Sequence, residues 1–156
     1  MPKLEPIDET FFETARLKYV QSWDINEPAA DVWRQLVENP LHWCKTLKIN
    51  WTSAPPFGVG TTRRVKVLGL LVSNEYYFVW DEGRRNAFYF TDANLPLFKR
   101  FGEDYVVEPT GENSCRFTWK LAGEPTAIGA GGKPLLDWLV AGFFKDTTKH
   151  FRSSAG

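Results

Sequence analysis

The chain has 156 residues, and its 19 basic and 19 acidic side chains give a formal net charge of zero. This balance lacks the basic footprint of proteins that bind nucleic acid or anionic membrane surfaces, so we expect no nucleic-acid partner. No apolar run approaches the roughly 20 residues that span a bilayer, and the first residues lack a signal-peptide pattern, so we expect a cytoplasmic protein without a membrane span.

The length fits one domain with a single core, preceded by a polar lead segment. We place the lead segment at residues 1–15 and the domain at residues 16–156. In the lead segment Asp8 is suited to cap a short helical turn, and a segment of this size can also fold against the domain. The sequence leaves both alternatives open.

The domain begins with a strand and a helix. Residues 17–25 alternate well enough between apolar and polar positions to predict a strand. Residues 26–39 follow as a helix, because Trp33 and Leu36 belong to a set of apolar residues at helical spacing. The residue before a proline avoids the helical region, so Asn39 ends this helix.

Six further β-type runs follow, divided by short turns rich in glycine, proline and asparagine. They are residues 47–53, 61–69, 70–80, 84–92, 100–109 and 114–124. Consecutive strands joined by such short turns must be antiparallel neighbours, because a parallel crossover needs a dozen or more residues. The sequence therefore predicts a meander of about seven strands.

The chain closes with a long amphipathic helix, predicted from Pro134 onward and about 28 Å long at 1.5 Å per residue. Its broad apolar stripe needs a sheet to lie against. The stripe consists of Leu135, Leu136, Leu139, Val140, Phe143, Phe144, Thr147 and Phe151. The predicted fold class is therefore α+β, with a curved antiparallel sheet around the C-terminal helix.

Several stretches, in this order, are similar to one known superfamily. They are NEPAADVWRQLVENPLHW, GVGTTRRV, the spacing of Glu75 and Asp81, DYVVEP and FTWKL. Over residues 16–152 the chain resembles the polyketide cyclase/dehydrase and lipid-transport superfamily (SRPBCC), whose START-like helix-grip fold is shared by the birch-pollen allergen, the START domains and the plant abscisic-acid receptors. The resemblance implies a ligand enclosed between sheet and helix.

Arg63 is the most informative charged residue. Strand side chains alternate, and Val65 marks the odd positions as the apolar face, which places Arg63 inward. If the next turn is centred on Gly69, Arg63 lies opposite Glu75, because opposed residues in a hairpin have a constant index sum. A two-residue turn would instead oppose it to Tyr76. An inward ion pair adds little stability and would indicate recognition of a polar group; a salt bridge at the rim or surface is the alternative.

The next hairpin is predicted to be aromatic on both faces, with a two-residue turn at positions 82 and 83. One face then carries Glu75, Tyr77, Val79, Phe88 and Phe90, and the other carries Tyr76, Phe78, Trp80, Ala87 and Tyr89. A strand that is apolar on both sides is covered on both, or it leaves a patch for a partner chain. A homodimer through the outer face is therefore one hypothesis.

Aromatic residues make up 15% of the sequence, and each buries about 150–250 Å². These rings either fill the core or line a cavity that contains a few polar groups, and the resemblance favours the cavity. The predicted ligand-binding residues are Trp33, Trp51, Arg63, Val65, Glu75, Tyr77, Phe88, Phe90, Glu103, Tyr105, Trp119, Leu139 and Phe143.

No catalytic, metal-binding or cofactor-binding motif is recognisable, so we assign no catalytic residue, no metal and no cofactor. Cys44 and Cys115 are expected to be reduced, packed thiols. Three functions remain open, and we favour binding or transport of a small hydrophobic ligand such as a lipid, polyketide or terpenoid. The second is a cyclase or dehydratase that uses Tyr105 and a buried carboxylate, Glu75 or Glu103, as acid and base. The third is a protein-interaction module.

Overall fold

The computed structural model describes residues 1–155, with side chains described as far as Arg152. Within this part of the chain the elements are α1 (Phe11–Thr14), β1 (Leu17–Ile25), α2 (Ala29–Glu38), β2 (Leu47–Trp51), β3 (Thr62–Val67), β4 (Leu71–Asp81), β5 (Arg85–Ala93), β6 (Phe98–Gly111), β7 (Ser114–Pro125), α3 (Ala127–Gly131) and α4 (Lys133–Ala155).

The strands form an antiparallel sheet in the order β1-β7-β6-β5-β4-β3-β2. Strands β2 to β7 make a meander, and β1 returns to pair with β7, from Leu17 opposite Gly123 to Ile25 opposite Cys115. The sheet curls around α4, which confirms the predicted α+β helix-grip architecture. Cys44 and Cys115 are both buried free thiols.

Helix α2 packs against β6 and β7. Trp33 and Leu36, which were predicted at helical spacing, are buried together with Val32, and Val37 of the same apolar set is half-buried. The helix ends at Glu38, and Asn39 leaves the helical region with φ at −143°, as expected for the residue before a proline.

Helix α4 lies in the concave side of the sheet. Phe143 and Phe151 are buried on the side that faces the strands, and Trp23 Nε1 donates a hydrogen bond of 2.8 Å to Thr148 Oγ1. The predicted stripe is wrong at Leu135, which is 56% exposed. The buried residues of α4 follow one another at intervals of three or four positions, and Leu135 lies one position outside this pattern. Among residues 1–155, no helix combines the length and apolar character needed to cross a membrane.

A short helix, α3, lies between β7 and α4 and was not predicted from the sequence. The Thr126 side chain accepts a hydrogen bond from Gly129 N, and Thr126 N donates to Leu97 O at 3.0 Å. A Cβ at position 129 would collide with the Leu97 carbonyl oxygen, so glycine is required at this close approach. Helix α3 therefore ties the start of α4 to the loop between β5 and β6.

The lead segment forms a helical turn and also folds against the domain. Asp8 Oδ1 accepts a hydrogen bond of 3.0 Å from Thr10 N just before α1. Backbone hydrogen bonds join the segment to β5, and Ile7 and Phe12 are buried in a cluster with Ala87 on the outer face of the sheet. The chain thus covers its own outer face, and a homodimer through that face stays a prediction.

The β4–β5 hairpin confirms part of the predicted register. Tyr77 lies opposite Phe88, and Glu75 lies opposite Phe90. Phe78 is then an extra residue in β4 without a partner in β5. Such a bulge moves every following side chain of the strand to the opposite face.

Beyond the bulge the predicted faces are wrong. Val79 pairs with Ala87 and packs on the outer side against the lead segment. Trp80 lies on the inner side, with its ring centroid 5.0 Å from that of Tyr77. The turn contains three residues rather than two, and Gly83 adopts a φ of 81°, which glycine reaches without strain.

Candidate functional site

A cavity of about 60 Å³ lies between the concave face of the sheet and the first half of α4. Four residues that carry polar groups meet at one end, and we call them the polar end: Arg63, Glu75, Glu103 and Tyr105. The rest of the lining is apolar apart from the Trp119 indole. This volume is below the roughly 150 Å³ of an engineered apolar cavity that binds benzene. The predicted room among the rings therefore exists, and it is small.

Most of the predicted ligand-binding residues line this cavity. They are Arg63, Val65, Glu75, Phe90, Glu103, Tyr105, Trp119, Leu139 and Phe143. Four others do not line it: Trp33, Trp51, Tyr77 and Phe88. Trp33 Nε1 donates to Glu82 Oε1 at 3.0 Å, and Trp51 Nε1 donates to Val37 O at 2.9 Å, so both indole N–H groups bond to residues outside the lining.

Much of the apolar lining was not among the ligand-binding residues predicted from the sequence. The missed residues are Leu41, Leu47, Ile49, Val67, Leu71, Phe98, Phe101, Leu121 and Leu136. Leu47 lies opposite Val67 in the β2–β3 pair, and the alternation in both strands was a usable signal. Leu41 has a φ of 53°, which no sequence pattern indicates for a leucine. Phe98 and Phe101 share the lining because β6 has an irregular register just after Phe98.

Arg63 and Glu75 form the predicted ion pair in the cavity wall. Arg63 lies directly opposite Glu75 in the β3–β4 ladder, because a three-residue turn centred on Gly69 joins Val67 to Leu71. Arg63 Nε donates to Glu75 Oε1 at 2.7 Å, and each side chain is 1% exposed. The alternative of a salt bridge at the rim or surface is therefore wrong.

The Arg63 guanidinium is enclosed by aromatic rings. Its Nη2 donates to the Tyr105 hydroxyl at 3.1 Å, and its Cζ lies 4.4 Å from the ring centroid of Phe88. The rings of Trp51 and Tyr77 lie behind it at 5.8 and 5.5 Å. Within the described part of the chain Nη1 has no hydrogen-bond partner. The guanidinium thus keeps an unused donor in a buried environment that stabilises its charge.

Glu103 is the second carboxyl of the polar end. Its Oε1 accepts hydrogen bonds from Trp119 Nε1 at 2.8 Å and from the Tyr105 hydroxyl at 3.2 Å. Burial, together with the charge of Glu75, raises the pKa of Glu103 to about 8. Arg63 and the two donors act in the opposite direction but do not offset the loss of hydration.

One guanidinium faces two carboxyls at this end of the cavity. Burial also raises the pKa of Glu75, and Arg63 opposes that rise through its charge and hydrogen bond. Because Glu75 makes the direct contact with Arg63, it is the ionised partner, and Glu103 keeps its proton near neutral pH. The neutral carboxylic acid of Glu103 can therefore donate a proton or a hydrogen bond. Among residues 1–155 no group of three His, Cys, Asp or Glu side chains is placed to hold a metal ion.

Comparison with protein families gives one match over most of the chain. The family described as polyketide cyclase / dehydrase and lipid transport matches residues 16–156. A relative, uncharacterized protein Rv2574 of Mycobacterium tuberculosis, is 30% identical over 154 residues, which cover 94% of this chain and 91% of the relative.

Solved structures share the fold. A START superfamily protein from Mycobacterium smegmatis is similar with a TM-score of 0.67 and 13% identity, over 87% of this chain and 97% of that protein. Ginseng major latex-like protein 151 from Panax ginseng is similar with a TM-score of 0.63 and 16% identity, over 86% of this chain and 97% of that protein. At these identities the likeness concerns the curled sheet and the C-terminal helix.

Proposed function

This chain belongs to the polyketide cyclase/dehydrase and lipid-transport family, and from that premise we propose that it binds a small hydrophobic molecule in the cavity between the sheet and α4. The observation that carries the proposal is the buried polar end of an otherwise apolar cavity. A buried ion pair adds little net stability compared with well-packed apolar residues. Its presence beside unfilled space supports a role in recognition.

The burial of the lining residues differs along the cavity and indicates from which side a ligand would enter. Seven lining residues are half-buried: Ile49 and Phe98, and five that lie at the ends of β2 to β4 and the start of α4, namely Leu47, Val67, Leu71, Leu136 and Leu139. We call these five the mouth. The polar end is buried more deeply than the mouth. A ligand would therefore enter with its polar group first, and its apolar part would contact the mouth.

The size of the cavity sets a condition on the ligand. A pocket for a drug-sized molecule has about 300–1,000 Å³, against about 60 Å³ in this closed form. Any guest of the size of a six-membered ring or larger therefore requires the first turns of α4 to move outward from the sheet. Leu136 and Leu139 contribute the half-buried contacts that such a movement would break.

Native mass spectrometry of the purified chain tests the proposal. We expect a co-purifying molecule bound at one per chain in the wild type, and its loss in Val65→Phe, because the larger ring fills the cavity beside Arg63. Val20→Phe is the matched control, since Val20 is 60% exposed on β1. Equal ligand occupancy in both variants would place the bound molecule outside the cavity and contradict the proposal.

A second function, proton-transfer catalysis of the cyclase or dehydratase type, is favoured by Glu103 alone. A buried acid with a pKa near 8, hydrogen-bonded to Tyr105, is suited to donate a proton to a carbonyl oxygen and to recover one from carbon. Exchange of the α-hydrogens of 2-methylcyclohexanone in D₂O measures this chemistry. Catalysis predicts acceleration that Glu103→Gln abolishes while binding survives; a rate equal to that of buffer would leave binding as the function.

A further inference from the structure

We propose that the polar end selects an uncharged ligand with a hydrogen-bond-accepting oxygen, such as a ketone or ester carbonyl, which accepts from Glu103 and Arg63. The inference rests on the proposed function, because it concerns the ligand of the same cavity. It adds the chemical class of the group that the polar end holds.

The hydrogen bonds at the polar end leave donors without acceptors. Glu75 has both oxygens engaged, by Arg63 Nε at 2.7 Å and by Ser73 Oγ at 3.3 Å. Glu103 Oε1 accepts from both Trp119 and Tyr105. Over the described residues, Arg63 Nη1 is buried without a hydrogen-bond partner. Both hydrogen bonds of the Glu103 carboxyl are made by Oε1, which leaves Oε2 available to a ligand. A protonated Oε2 is a free donor, so the site needs an acceptor from the ligand.

The charges at the polar end exclude ionic ligands. With Glu75 ionised and Glu103 protonated, the single positive charge of Arg63 is already balanced. The other titratable groups that act on Glu103 or are affected by it, Tyr77, Tyr105 and Cys44, are neutral because burial raises their pKa values. The parts of α4 that line the cavity, Leu136, Leu139 and Phe143, are apolar.

A carboxylate ligand would add an uncompensated negative charge beside Glu75 in a place with little water, and an ammonium ligand would face Arg63 without a free acceptor. A hydrocarbon would leave the two donors unpaired. A site built to hydrogen-bond its ligand rejects an analogue that lacks the bonding group, because the buried protein groups then lose their partner.

A panel of probes with one six-membered ring separates these classes: cyclohexanone, methylcyclohexane, cyclohexanecarboxylate and cyclohexylammonium. Titrations of the full chain at pH 6.5, followed by ligand-observed NMR, give each dissociation constant. We expect cyclohexanone to bind at least about tenfold more tightly than each of the other three, which corresponds to one net hydrogen bond. Equal binding of methylcyclohexane or of the carboxylate would overturn the proposed selectivity.

The pH dependence identifies Glu103 as the donor. A ligand that needs protonated Glu103 binds with constant affinity below the pKa of about 8, and the affinity falls by up to about tenfold per pH unit above it. Glu103→Gln keeps an N–H donor and cannot ionise, so cyclohexanone should bind this variant equally at pH 6.5 and pH 9.5. A decline of the same size in Glu103→Gln, or a flat profile in the wild type, would overturn the assignment.

Two further measurements separate the failure of this inference from that of the proposed function. Circular dichroism checks that Glu103→Gln is folded, and Val20→Phe, at a position of β1 that is 60% exposed and outside the cavity, should bind cyclohexanone with the pH dependence of the wild type. If methylcyclohexane binds as well as cyclohexanone, the cavity binds ligands but the selectivity is wrong. If no probe binds and no co-purifying molecule is found, the proposed function fails and this inference fails with it.

Discussion

Removing the guanidinium at the polar end should destabilise the fold strongly, because it leaves a carboxylate buried without its cation. In Arg63→Met the side chain keeps a similar length, but Glu75, which is 1% exposed, loses the positively charged group to which it is hydrogen-bonded. Breaking a buried pair by removing one partner costs about 3–5 kcal/mol. The structure allows an independent calculation of this loss.

Without Arg63, Glu75 escapes the cost of a buried charge by taking up a proton. Its ordinary pKa is 4.5, so protonation at pH 7 costs about 3 kcal/mol. The lost hydrogen bond from Nη2 to Tyr105 adds about 1 kcal/mol. We therefore expect Arg63→Met to lose about 4 kcal/mol at pH 7, and about 2–3 kcal/mol less than that at pH 5, where protonation is nearly free.

Urea unfolding at the two pH values measures this loss. The double variant Arg63→Met/Glu75→Gln should recover most of it at pH 7, since no charge then remains buried at this point. Arg64→Met is the matched control: the Arg64 side chain is exposed and its Nε donates to Asn74 Oδ1, so the change should stay within about 0.5 kcal/mol. A loss of less than about 1 kcal/mol in Arg63→Met, or a double variant no more stable than the single one, would refute the reasoning.

Three other substitutions test the site and its support. Between pH 5 and 8 folded Glu103 keeps a proton that the unfolded chain has released. The free energy of unfolding therefore falls with rising pH by up to about 1.4 kcal/mol per unit in the wild type but not in Glu103→Gln. A difference in unfolding free energy between these two proteins that does not change with pH would contradict this. Gly102→Ala places a Cβ 2.7 Å from the Phe88 carbonyl oxygen and should lower stability by about 1–3 kcal/mol; an unchanged Tm argues against this packing. Gly129→Ala should do the same at α3, because its Cβ meets the Leu97 carbonyl; calorimetry without a shift of the transition would disagree.

The Arg63–Glu75 pair was one of the alternatives that the sequence left open. Strand alternation places Arg63 inward, and a turn centred on Gly69 fixes the partner by counting residues, but the sequence also allowed a two-residue turn. The turn has the odd length that this pairing needs, with φ values of 55° at Leu68 and 66° at Gly69. Where a strand stays regular and the turn is identified correctly, pairing follows from the sequence.

In the β4–β5 hairpin the same counting was right at Glu75 and Tyr77 but wrong from Val79 to the turn, because β4 contains a bulge at Phe78. A bulge is decided by packing on both sides of the sheet, and here Phe78 and Val79 both turn outward toward Phe12 of the lead segment. Residues 76–80 are all aromatic or apolar, so the sequence has no alternation there that could reveal the extra residue. Trp80 was consequently assigned to the wrong face.

The size of the cavity could not be predicted from the sequence. Residue types indicate which side chains face inward. The unfilled volume of about 60 Å³, however, is the small difference between the space that the backbone encloses and the volume of the side chains within it. Leu41, with its positive φ, and Trp51, held by the Val37 carbonyl, both depend on tertiary contacts. The polar end was identifiable because charged residues at inward positions stand out from an apolar pattern.

The central claim is that a ligand occupies the cavity with its polar group at Glu103, and the indole N–H of Trp119 reports on it directly. This N–H donates to Glu103 Oε1, so in a ¹H–¹⁵N spectrum its resonance, assigned with Trp119→Phe, should shift on saturation with cyclohexanone. The exposed Trp138 should stay unchanged. A Trp119 resonance that does not move at saturation, while that of Trp138 does, would contradict the account.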